Sequence, residues 1–246
     1  MQTQTEGLII KSRDINENDT VKILTGDLGL ISAFANGTKK VKSRTASAAV
    51  SPMTYSRLTL YRGRESYIVD DAKAIDVFFG LREDIEKLSL ANYFCELAGE
   101  FSPENTEAHE FLSLTLNLLH LLSEDKRSAD FLKPVGELRM LALAGYMPDL
   151  AGCQSCGNEL PDEPVFSLRH AGFFCRYCTP DGEGIPVTPG VINAMRHICT
   201  CDDRALFAFR MPDSSLKILG DITERYLLLQ LGHKLRTLDF YKSIKM

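Results

Sequence analysis

The stretch CQSCGNELPDEPVFSLRHAGFFCRYC, residues 153–178, contains two pairs of cysteines. Two residues separate the cysteines of each pair, and eighteen residues separate Cys156 from Cys175. Two thiolates at this spacing can bind one metal ion from a tight turn, and two such turns complete the tetrahedral coordination that zinc prefers. The spacing therefore predicts a structural zinc ribbon whose ligands are Cys153, Cys156, Cys175 and Cys178.

The residues around the four cysteines also favour a metal site. Gly157 follows the first pair, and residues 172–174, Gly-Phe-Phe, lead into the second pair as the arm of a hairpin would. Four thiolates fill every coordination position of zinc, so the ion would stabilise this segment and would take no part in catalysis. The alternative is four reduced cysteines in a loop-rich segment, which does not explain two equal spacings.

Length and composition limit the class of protein. The chain has 246 residues, of which 44% are apolar, enough for a substantial core and for two or three small units. No apolar run approaches the roughly 18 residues of a membrane span, and residues 1–10 do not resemble a secretion signal. Seven cysteines without such a signal indicate a reducing compartment. We therefore expect a soluble, cytoplasmic protein.

Basic residues are concentrated in one stretch of an acidic chain. The formal net charge is −5, yet residues 39–64 contain seven basic residues and no acidic one. Such a cluster produces a local field that the net charge does not reveal. The candidate residues for binding a nucleic acid are Lys39, Lys40, Lys42, Arg44, Arg57, Arg62 and Arg64.

Short apolar runs separated by turn-forming residues predict five β-strands before residue 80. Residues 26–29 suit the turn of a hairpin, and residues 36–38 open a polar loop before the fourth strand. Five short strands suit a small barrel, either an OB-fold or an SH3-like barrel. The apolar runs are residues 7–11, 21–24, 30–34, 55–61 and 67–75.

After Gly80 the spacing of apolar residues becomes helical. We predict an α+β protein in which residues 1–80 form an OB-fold that binds nucleic acid. Residues 81–246 then form a helical domain with a zinc finger at residues 150–182. The predicted helices begin near Ile85, Ser102, Ala129, Thr188 and Ser215, and the last one ends near Leu238.

The sequence contains no complete catalytic signature. The G-x4-G-K-[ST] phosphate loop is absent, and His109–Glu110 is followed at position 113 by serine instead of the second histidine of a metalloprotease. No H-x-E segment accompanies the cysteines, as a zinc deaminase requires. One residue separates Cys199 from Cys201, which is short for zinc ligands. We therefore predict no catalytic residue and no enzyme.

Four aromatic residues accompany the basic stretch, namely Phe34, Tyr55, Tyr61 and Tyr67. Small barrels bind nucleic acids by combining a positive groove, which holds phosphates, with rings on which bases stack. The alternative places the rings in the core and the charges on a solvated loop. The uniform sign of the charges favours nucleic-acid binding.

Six segments together resemble the RecO family of bacterial recombination mediators. The first two, TGDLG and ANGTKKVKS, are similar to the family's T-x-x-x-G and x-x-G-x-[KR]-[KR]-x-K-S motifs. The others are similar to its helix-to-zinc junction and its C-terminal helix. No single segment would suffice, but they follow in the family's order over nearly the whole chain. The segments are residues 25–29, 35–43, 137–141, 145–148, 153–157 and 232–238.

The resemblance implies an N-terminal OB-fold, a helical domain and a structural Zn2+ site in a bacterial, nucleoid-associated protein. It implies binding of single- and double-stranded DNA and annealing of strands coated by single-strand-binding protein. It also implies that the chain works with RecR to promote loading of RecA at gaps. Asn36 stands where the family commonly has a basic residue, and Thr38 where it has a small apolar one.

The resemblance further implies that the acidic C-terminal tail of single-strand-binding protein binds this chain. The candidate cations on the predicted helical domain are Lys126, Arg127, Lys133 and Arg139. The alternative function is a zinc-ribbon adaptor that binds RNA or a protein. Such an adaptor would prefer RNA and would not anneal DNA.

Overall fold

The computed structural model describes residues 2–15, 18–35, 48–63, 66–159, 163–180 and 184–245. The chain divides into two units. We call residues 1–127 with 235–246 the barrel unit, and residues 128–234 the cysteine unit. The predicted domain boundary at residues 80 and 81 lies inside the barrel unit, at the change from strands to helices.

The N-terminal strands are β1 Gln2–Ile15, β2 Asn18–Thr25, β3 Gly29–Phe34, β4 Thr54–Arg62 and β5 Tyr67–Asp76. They close into a barrel in the order β1-β2-β3-β5-β4, and β4 pairs back with β1. The pairing of β3 with β5 is parallel, whereas the other pairs are antiparallel. The five strands predicted before residue 80 are therefore confirmed.

Alternate side chains of these strands fill the barrel, because successive residues of a strand point to opposite faces. The pairing of β1 with β2 shifts register between Ile9 and Lys11. Such an irregularity bends a strand and helps a sheet to close. Inward-facing residues of the core include Ile9, Val21, Ile23, Ile31, Ala33, Leu58, Leu60, Val69 and Ala72.

The turn between β2 and β3 depends on Thr25 and Gly29. The Thr25 hydroxyl accepts a hydrogen bond from the Leu28 N–H at 3.1 Å and donates one to the Gly29 carbonyl at 3.0 Å. Gly29 has a φ of +66°, and a Cβ there would lie 2.2 Å from the Thr106 carbonyl oxygen. Only glycine fits both the turn and this close approach.

The helices are α1 Ile85–Phe101, α2 His109–Ser123, α3 Ala129–Leu143, α4 Pro189–Thr200, α5 Asp213–Leu231 and α6 Arg236–Ile244. The Asp84 carboxylate caps α1 by accepting hydrogen bonds from the N–H groups of Glu86 and Lys87 at 2.7 and 3.3 Å. The prediction that helices follow the N-terminal strands is confirmed. Within the described residues, none of them has the length and apolar content to span a membrane.

Two predicted helix boundaries are wrong. Ser102 ends α1, because its N–H donates to the Ala98 carbonyl at 3.1 Å, and α2 begins further along the chain. The last predicted helix does not continue to Leu238. Gly232 adopts a φ of +72° and donates its N–H to the Leu228 carbonyl, which ends α5 and separates it from α6.

Helices α1 and α2 contact β1 and β2 and cover part of the outer barrel face. Leu8, Leu24 and Leu30 are direct cross-strand partners on β1, β2 and β3, and all three are buried. They alternate with the core residues Ile9, Ile23 and Ile31, so they point outward. This leucine row is therefore buried on the side of β1 and β2 that the helices contact.

The cysteine unit combines α3, α4 and α5 with a small sheet. Its strands are β6 Asp149–Cys153, β7 Val165–Ser167, β8 Gly172–Phe174 and β9 Ile185–Pro186, in the order β6-β8-β7-β9. The rings of Phe166 and Phe173 meet edge to face with centroids 5.4 Å apart, and Tyr226 of α5 contacts Phe166 at 6.0 Å. These aromatic contacts join the sheet to α5.

Candidate nucleic-acid interface and metal cluster

Three basic side chains lie on the outer barrel face, where they line a cavity between the strands and helix α1. Lys11 and Arg13 belong to β1 and Lys22 to β2, and Lys11 lies directly opposite Lys22. All three line one cavity of about 400 Å³. Within the described part of the chain, no carboxylate forms an ion pair with any of them. We call Lys11, Arg13 and Lys22 the cation triad.

Helix α1 forms the opposite wall of this cavity, with Cys95 and the two carboxylates of Glu96 and Glu100 among its lining residues. Burial raises the pKa of the Cys95 thiol to about 12, so this part of the wall is neutral. One oxygen of Glu96 accepts hydrogen bonds from the Thr237 hydroxyl and, at 3.2 Å, from the Thr237 N–H. These donors, rather than the cation triad, engage that oxygen.

The cation triad places three positive charges on the barrel side of this cavity. Like charges directly opposite each other on adjacent strands destabilise a sheet, and Lys11 and Lys22 are in that arrangement. An anion between them would relieve the repulsion. Phosphate groups of a nucleic acid are anions of this kind, and basic side chains hold them in a groove without reading sequence.

Three apolar side chains are exposed next to one another on the same outer face. Phe34 of β3 is the cross-strand partner of Ile68 on β5, and Ile68 is the partner of Tyr61 on β4. Phe34 is also the partner of Thr20 on β2, and Thr20 is the partner of Arg13 in the cation triad. One row of partners therefore leads from a cation to two aromatic rings.

Of the seven cations predicted to bind nucleic acid, the structure describes Arg57 and Arg62. The Arg57 guanidinium binds one carboxylate oxygen of Glu6 at 2.8 Å, so its charge is largely neutralised. Arg62 is exposed and has no described ion-pair partner. The prediction that the seven residues bind nucleic acid stays a prediction, and five of them lie outside the described residues: Lys39, Lys40, Lys42, Arg44 and Arg64.

The structure distinguishes among the four predicted stacking rings. Tyr55 donates its hydroxyl to Glu6 at 2.8 Å, and burial together with this bond raises its pKa to about 12. Hydrogen bonds from Arg57 and Tyr55 lower the pKa of Glu6. Tyr67 packs partly against the barrel core. Phe34 and Tyr61 are the two rings left exposed.

The four predicted metal ligands converge in the cysteine unit. The sulfur atoms of Cys153, Cys156, Cys175 and Cys178 all lie within 4.8 Å of one another, and those of Cys156 and Cys175 are 3.7 Å apart. Four sulfurs at about 2.3 Å from a central ion would be about 3.8 Å apart. The cluster therefore has the composition and size of a four-thiolate metal site.

Two backbone turns bring these sulfurs together. In the first, Gly157 has a φ of +76° and donates its N–H to the Cys153 carbonyl at 2.8 Å. In the second, the Cys178 N–H donates to the Cys175 carbonyl at 2.9 Å. The pairing of β6 with β8 connects the two turns. Each turn presents two sulfurs to the same point, as the spacing predicts.

The pKa values of two thiols in the cluster, those of Cys153 and Cys178, are shifted in opposite directions. Burial disfavours the Cys153 thiolate, but backbone N–H groups of Cys156, Cys175 and Ser155 lower its pKa to about 6. Burial and the neighbouring sulfurs raise the pKa of Cys178 to about 12. Four thiolates at these distances repel one another, and a divalent cation would offset that repulsion. The donor set therefore fits a metal ion.

The four cations predicted to bind a protein tail have different surroundings. Lys126 lies 2.9 Å from a ring nitrogen of His120, and Arg127 is half-buried. Both belong to the barrel unit, whereas Lys133 and Arg139 belong to the cysteine unit. The structure describes contacts within each unit, and the prediction that all four bind one ligand stays untested.

Lys133 and Arg139 are buried and have partners inside the cysteine unit. The Lys133 ammonium binds Glu137 at 2.7 Å and Glu224 at 2.9 Å, and these carboxylates raise its pKa against the effect of burial. The Arg139 guanidinium binds Asp203 at 3.1 Å and the last carbonyls of α4. Both side chains therefore stabilise helix packing.

Sequence reasoning missed the cation triad. Lys11 and Arg13 are two residues apart on a strand, and this spacing places both on one face. Acidic residues follow at Asp14, Glu17 and Asp19, so the segment is not a basic cluster in sequence. The pairing of β1 with β2, which the sequence does not specify, is what adds Lys22.

A closed five-stranded barrel with cations and exposed rings on one face is typical of proteins that bind nucleic acids. Comparison with known proteins narrows this class. A model of the N-terminal part of recombination protein O matches residues 1–78, and a model of its C-terminal part matches residues 82–239. The two matches meet where the strands give way to helices.

Several curated proteins are similar to this chain over its length. The DNA repair protein RecO of Acetivibrio thermocellus is 31% identical over 98% of this chain and 96% of its own. That of Desulforudis audaxviator is 32% identical over 99% of this chain and 97% of its own. That of Clostridium perfringens is 28% identical over 98% of each chain. The chain belongs to the RecO family of DNA repair proteins.

Proposed function

We propose that the chain is a recombination mediator. It binds single- and double-stranded DNA, anneals strands coated by single-strand-binding protein, and with RecR promotes loading of RecA at gaps. Membership of the RecO family supports the role in repair. The cation triad is the observation that carries DNA binding, because Lys11, Arg13 and Lys22 line one cavity without a described carboxylate partner.

The barrel is proposed to be an OB-fold. Its strand order, with β3 beside β5 and β4 closing onto β1, is consistent with the five-stranded Greek-key barrel of that fold. OB-folds bind oligonucleotides on the face of their second and third strands and on the adjoining loops. In this chain that face carries Lys22 and Phe34, which supports the assignment.

The basic segment at residues 39–44 is proposed to extend the same interface. The chain leaves β3 after Phe34 and leaves β4 after Arg62, and both ends lie next to the start of β5. Lys39, Lys40, Lys42 and Arg44 follow the first exit in sequence, and Arg64 follows the second. Cations attached at these exits would add phosphate contacts beside the cation triad.

Annealing by this chain is proposed to be electrostatic. Two complementary strands repel each other through their phosphates, and a surface that neutralises part of that charge lowers the barrier to pairing. Such a mechanism needs no nucleotide hydrolysis and no catalytic residue. Binding to chromosomal DNA would place the protein with the bacterial nucleoid in the cytoplasm.

The metal ion is proposed to be Zn2+ with a structural role. Four thiolates suit zinc in tetrahedral coordination and leave no position for water. The ion would hold the two turns around Cys153 and Cys175 together and would stabilise the small sheet of the cysteine unit. The ion would take no part in a reaction.

Single-strand-binding protein is proposed to be recruited through its acidic C-terminal tail, with RecR as a second partner and RecA as an indirect one. Lys126 and Arg127 follow α2 in the barrel unit and are candidates for the tail. Lys133 and Arg139 could contribute only if their ion pairs with Glu224 and Asp203 opened.

The decisive experiment is the annealing rate of complementary DNA strands coated with the cognate single-strand-binding protein, without ATP. We expect acceleration by the wild-type chain and its loss in Lys11→Glu with Lys22→Glu. The control, Lys73→Glu with Lys217→Glu, changes the net charge equally at two exposed sites and should retain the rate. Each lost phosphate contact should reduce the salt slope for single strands by about 0.7.

The outcomes separate the alternatives. Annealing that survives reversal of the triad would place the essential DNA contacts elsewhere, with reversal of Lys39, Lys40 and Lys42 as the next test. A folded wild-type chain that accelerates nothing and prefers RNA would support the zinc-ribbon adaptor instead.

A further inference from the structure

The apolar row on β3, β5 and β4 is too exposed to be part of the core. Phe34, Ile68 and Tyr61 are 37%, 41% and 53% exposed, although each is a large apolar or aromatic residue. They are consecutive cross-strand partners, so they form one continuous patch about two strand spacings, or about 10 Å, across. We call these three residues the ring platform.

We propose that the ring platform stacks the bases of unpaired DNA, so that the barrel distinguishes single from double strands by their exposed base faces. This inference rests on the proposed function and adds to it the form of DNA that this face selects. The cation triad alone would bind phosphates of either form, because phosphate contacts carry no information about the bases.

The selectivity follows from what each form of DNA exposes. In a duplex the base faces are covered by their neighbours, and only base edges are accessible in the grooves. In a single strand the faces are free to stack on aromatic side chains, whatever the sequence. Phe34 and Tyr61 offer two such rings, and Ile68 between them keeps the patch apolar.

The position of the ring platform gives a path for the strand. Arg13, Thr20 and Phe34 are consecutive partners across β1, β2 and β3, and Ile68 and Tyr61 continue the row. A strand that crosses the barrel along this row meets a cation at one end and rings at the other. A backbone phosphate would thus be held at the Arg13 end of the row, and bases further along it at Phe34 and Tyr61.

The other aromatic residues of the barrel have partners of their own. Tyr55 binds Glu6 through its hydroxyl, and Tyr67 packs against the core. The selection of Phe34 and Tyr61 therefore does not depend on aromatic content alone. It depends on the register, which places these two rings on either side of Ile68.

Fluorescence can report stacking directly, because the natural chain contains no tryptophan. In Tyr61→Trp the single indole would lie on the ring platform. We expect saturating oligo(dT) to quench its emission and a duplex of equal length to quench it much less. In the control variant Phe79→Trp, the replaced residue is 70% exposed but outside the row, and neither DNA should quench it.

Affinity provides the second readout. Phe34→Ala with Tyr61→Ala should weaken single-strand binding about tenfold or more, with duplex affinity and salt slope unchanged. The control Ile75→Ala removes an exposed apolar side chain of β5 that lies outside the row, and it should have no effect. Circular dichroism would show that the variants are folded.

Failure of this inference differs from failure of the proposed function. A wild-type chain that binds no DNA contradicts the proposed function. The ring platform is contradicted if both forms of DNA quench the indole of the Tyr61→Trp variant equally, or if DNA binding is unchanged in Phe34→Ala with Tyr61→Ala. Either of these results leaves the cation triad in place.

Discussion

Lys11 and Lys22 are direct cross-strand partners on β1 and β2, and no described carboxylate separates their charges. The same two strands place Leu8 opposite Leu24 under the helices. One outer face thus contains a leucine pair that stabilises the fold and a lysine pair that destabilises it. An anionic ligand between the two lysines would offset this repulsion, as the proposed DNA binding requires.

Replacing one lysine of this pair should stabilise the protein and weaken DNA binding. Lys22→Thr removes the repulsion with Lys11 and introduces a residue that favours strands, so we expect the free energy of unfolding to rise by about 0.5 kcal/mol. Urea denaturation at low salt would measure the gain. The gain should shrink in about 1 M salt, because exposed charges are then screened.

The matched control for this change is Lys22→Arg. It keeps the positive charge, so it should retain both the repulsion and the affinity for DNA. Equal stability of Lys22→Thr and Lys22→Arg at low salt would show that the lysine pair is not strained.

Releasing Arg57 should strengthen DNA binding. The Glu6 carboxylate holds Arg57 at 2.8 Å, and hydrogen bonds from Arg57 and Tyr55 lower the pKa of Glu6. Because that pKa is lowered, the pair persists at neutral pH and is lost only as the pH falls below the usual range of a glutamate. Glu6→Gln should therefore raise single-strand affinity at pH 7 and steepen the salt slope by about 0.7.

The same substitution in an Arg57→Ala background isolates the effect. If Glu6 acts by neutralising Arg57, then Glu6→Gln should change nothing once the guanidinium is gone. A gain of affinity that persists in this background would mean that the Glu6 charge repels DNA by itself.

The metal cluster gives a prediction about composition and local stability. Protein purified without chelator should contain one zinc per chain by elemental analysis, and Cys153→Ser should lose it. Removing the ion should increase hydrogen exchange at residues 149–178, because the two turns then lose their common ligand. Exchange in β1–β5 should stay unchanged, since those strands have their own core.

Cys201→Ser is the matched control for the zinc ligands. Cys201 lies beyond α4 and is not among the four clustered sulfurs. Full zinc content in Cys201→Ser and reduced content in Cys153→Ser are expected. A metal-free chain with unchanged exchange at residues 149–178 would contradict a structural metal.

Local patterns were sufficient for the strands and the cysteine cluster. Strand alternation and turn residues depend on near neighbours, so five strands and the Thr25–Gly29 turn could be predicted from sequence. The two cysteine pairs also specify their own turns. The prediction that a helix begins near Ser102 is wrong, because the Ser102 N–H donates to the Ala98 carbonyl at the end of α1.

The cation triad, the ring platform and the ion pairs of Lys133 depend on contacts between segments that are far apart in the sequence. The cation triad needs the register of β1 with β2, and the ring platform needs β3 beside β5. Lys133 has the appearance of a surface cation in sequence, yet Glu224, far along the chain, binds it in the cysteine unit. A cation's availability depends on such partners, which a single sequence does not reveal.

The Lys133–Glu137 pair allows a test of whether Lys133 is an available surface cation or a buried partner of carboxylates. Glu137 is fully buried and accepts hydrogen bonds from Thr223 at 2.6 Å and from Lys133 at 2.7 Å. Glu137→Leu leaves Lys133 buried with Glu224 alone, so we expect a loss of about 3 kcal/mol in the free energy of unfolding. Lys133→Met together with Glu137→Leu should recover part of this loss, because two apolar residues then replace the pair.

The double variant also tests the role of Lys133 in partner binding. Since Lys133 binds Glu137 and Glu224, we expect an acidic tail peptide to bind Lys133→Met with Glu137→Leu as strongly as the wild type. Isothermal titration at low salt would measure this, with Arg127→Glu as the comparison on the barrel unit. A large loss of peptide affinity in a folded double variant would show that Lys133 leaves its ion pairs to bind the tail.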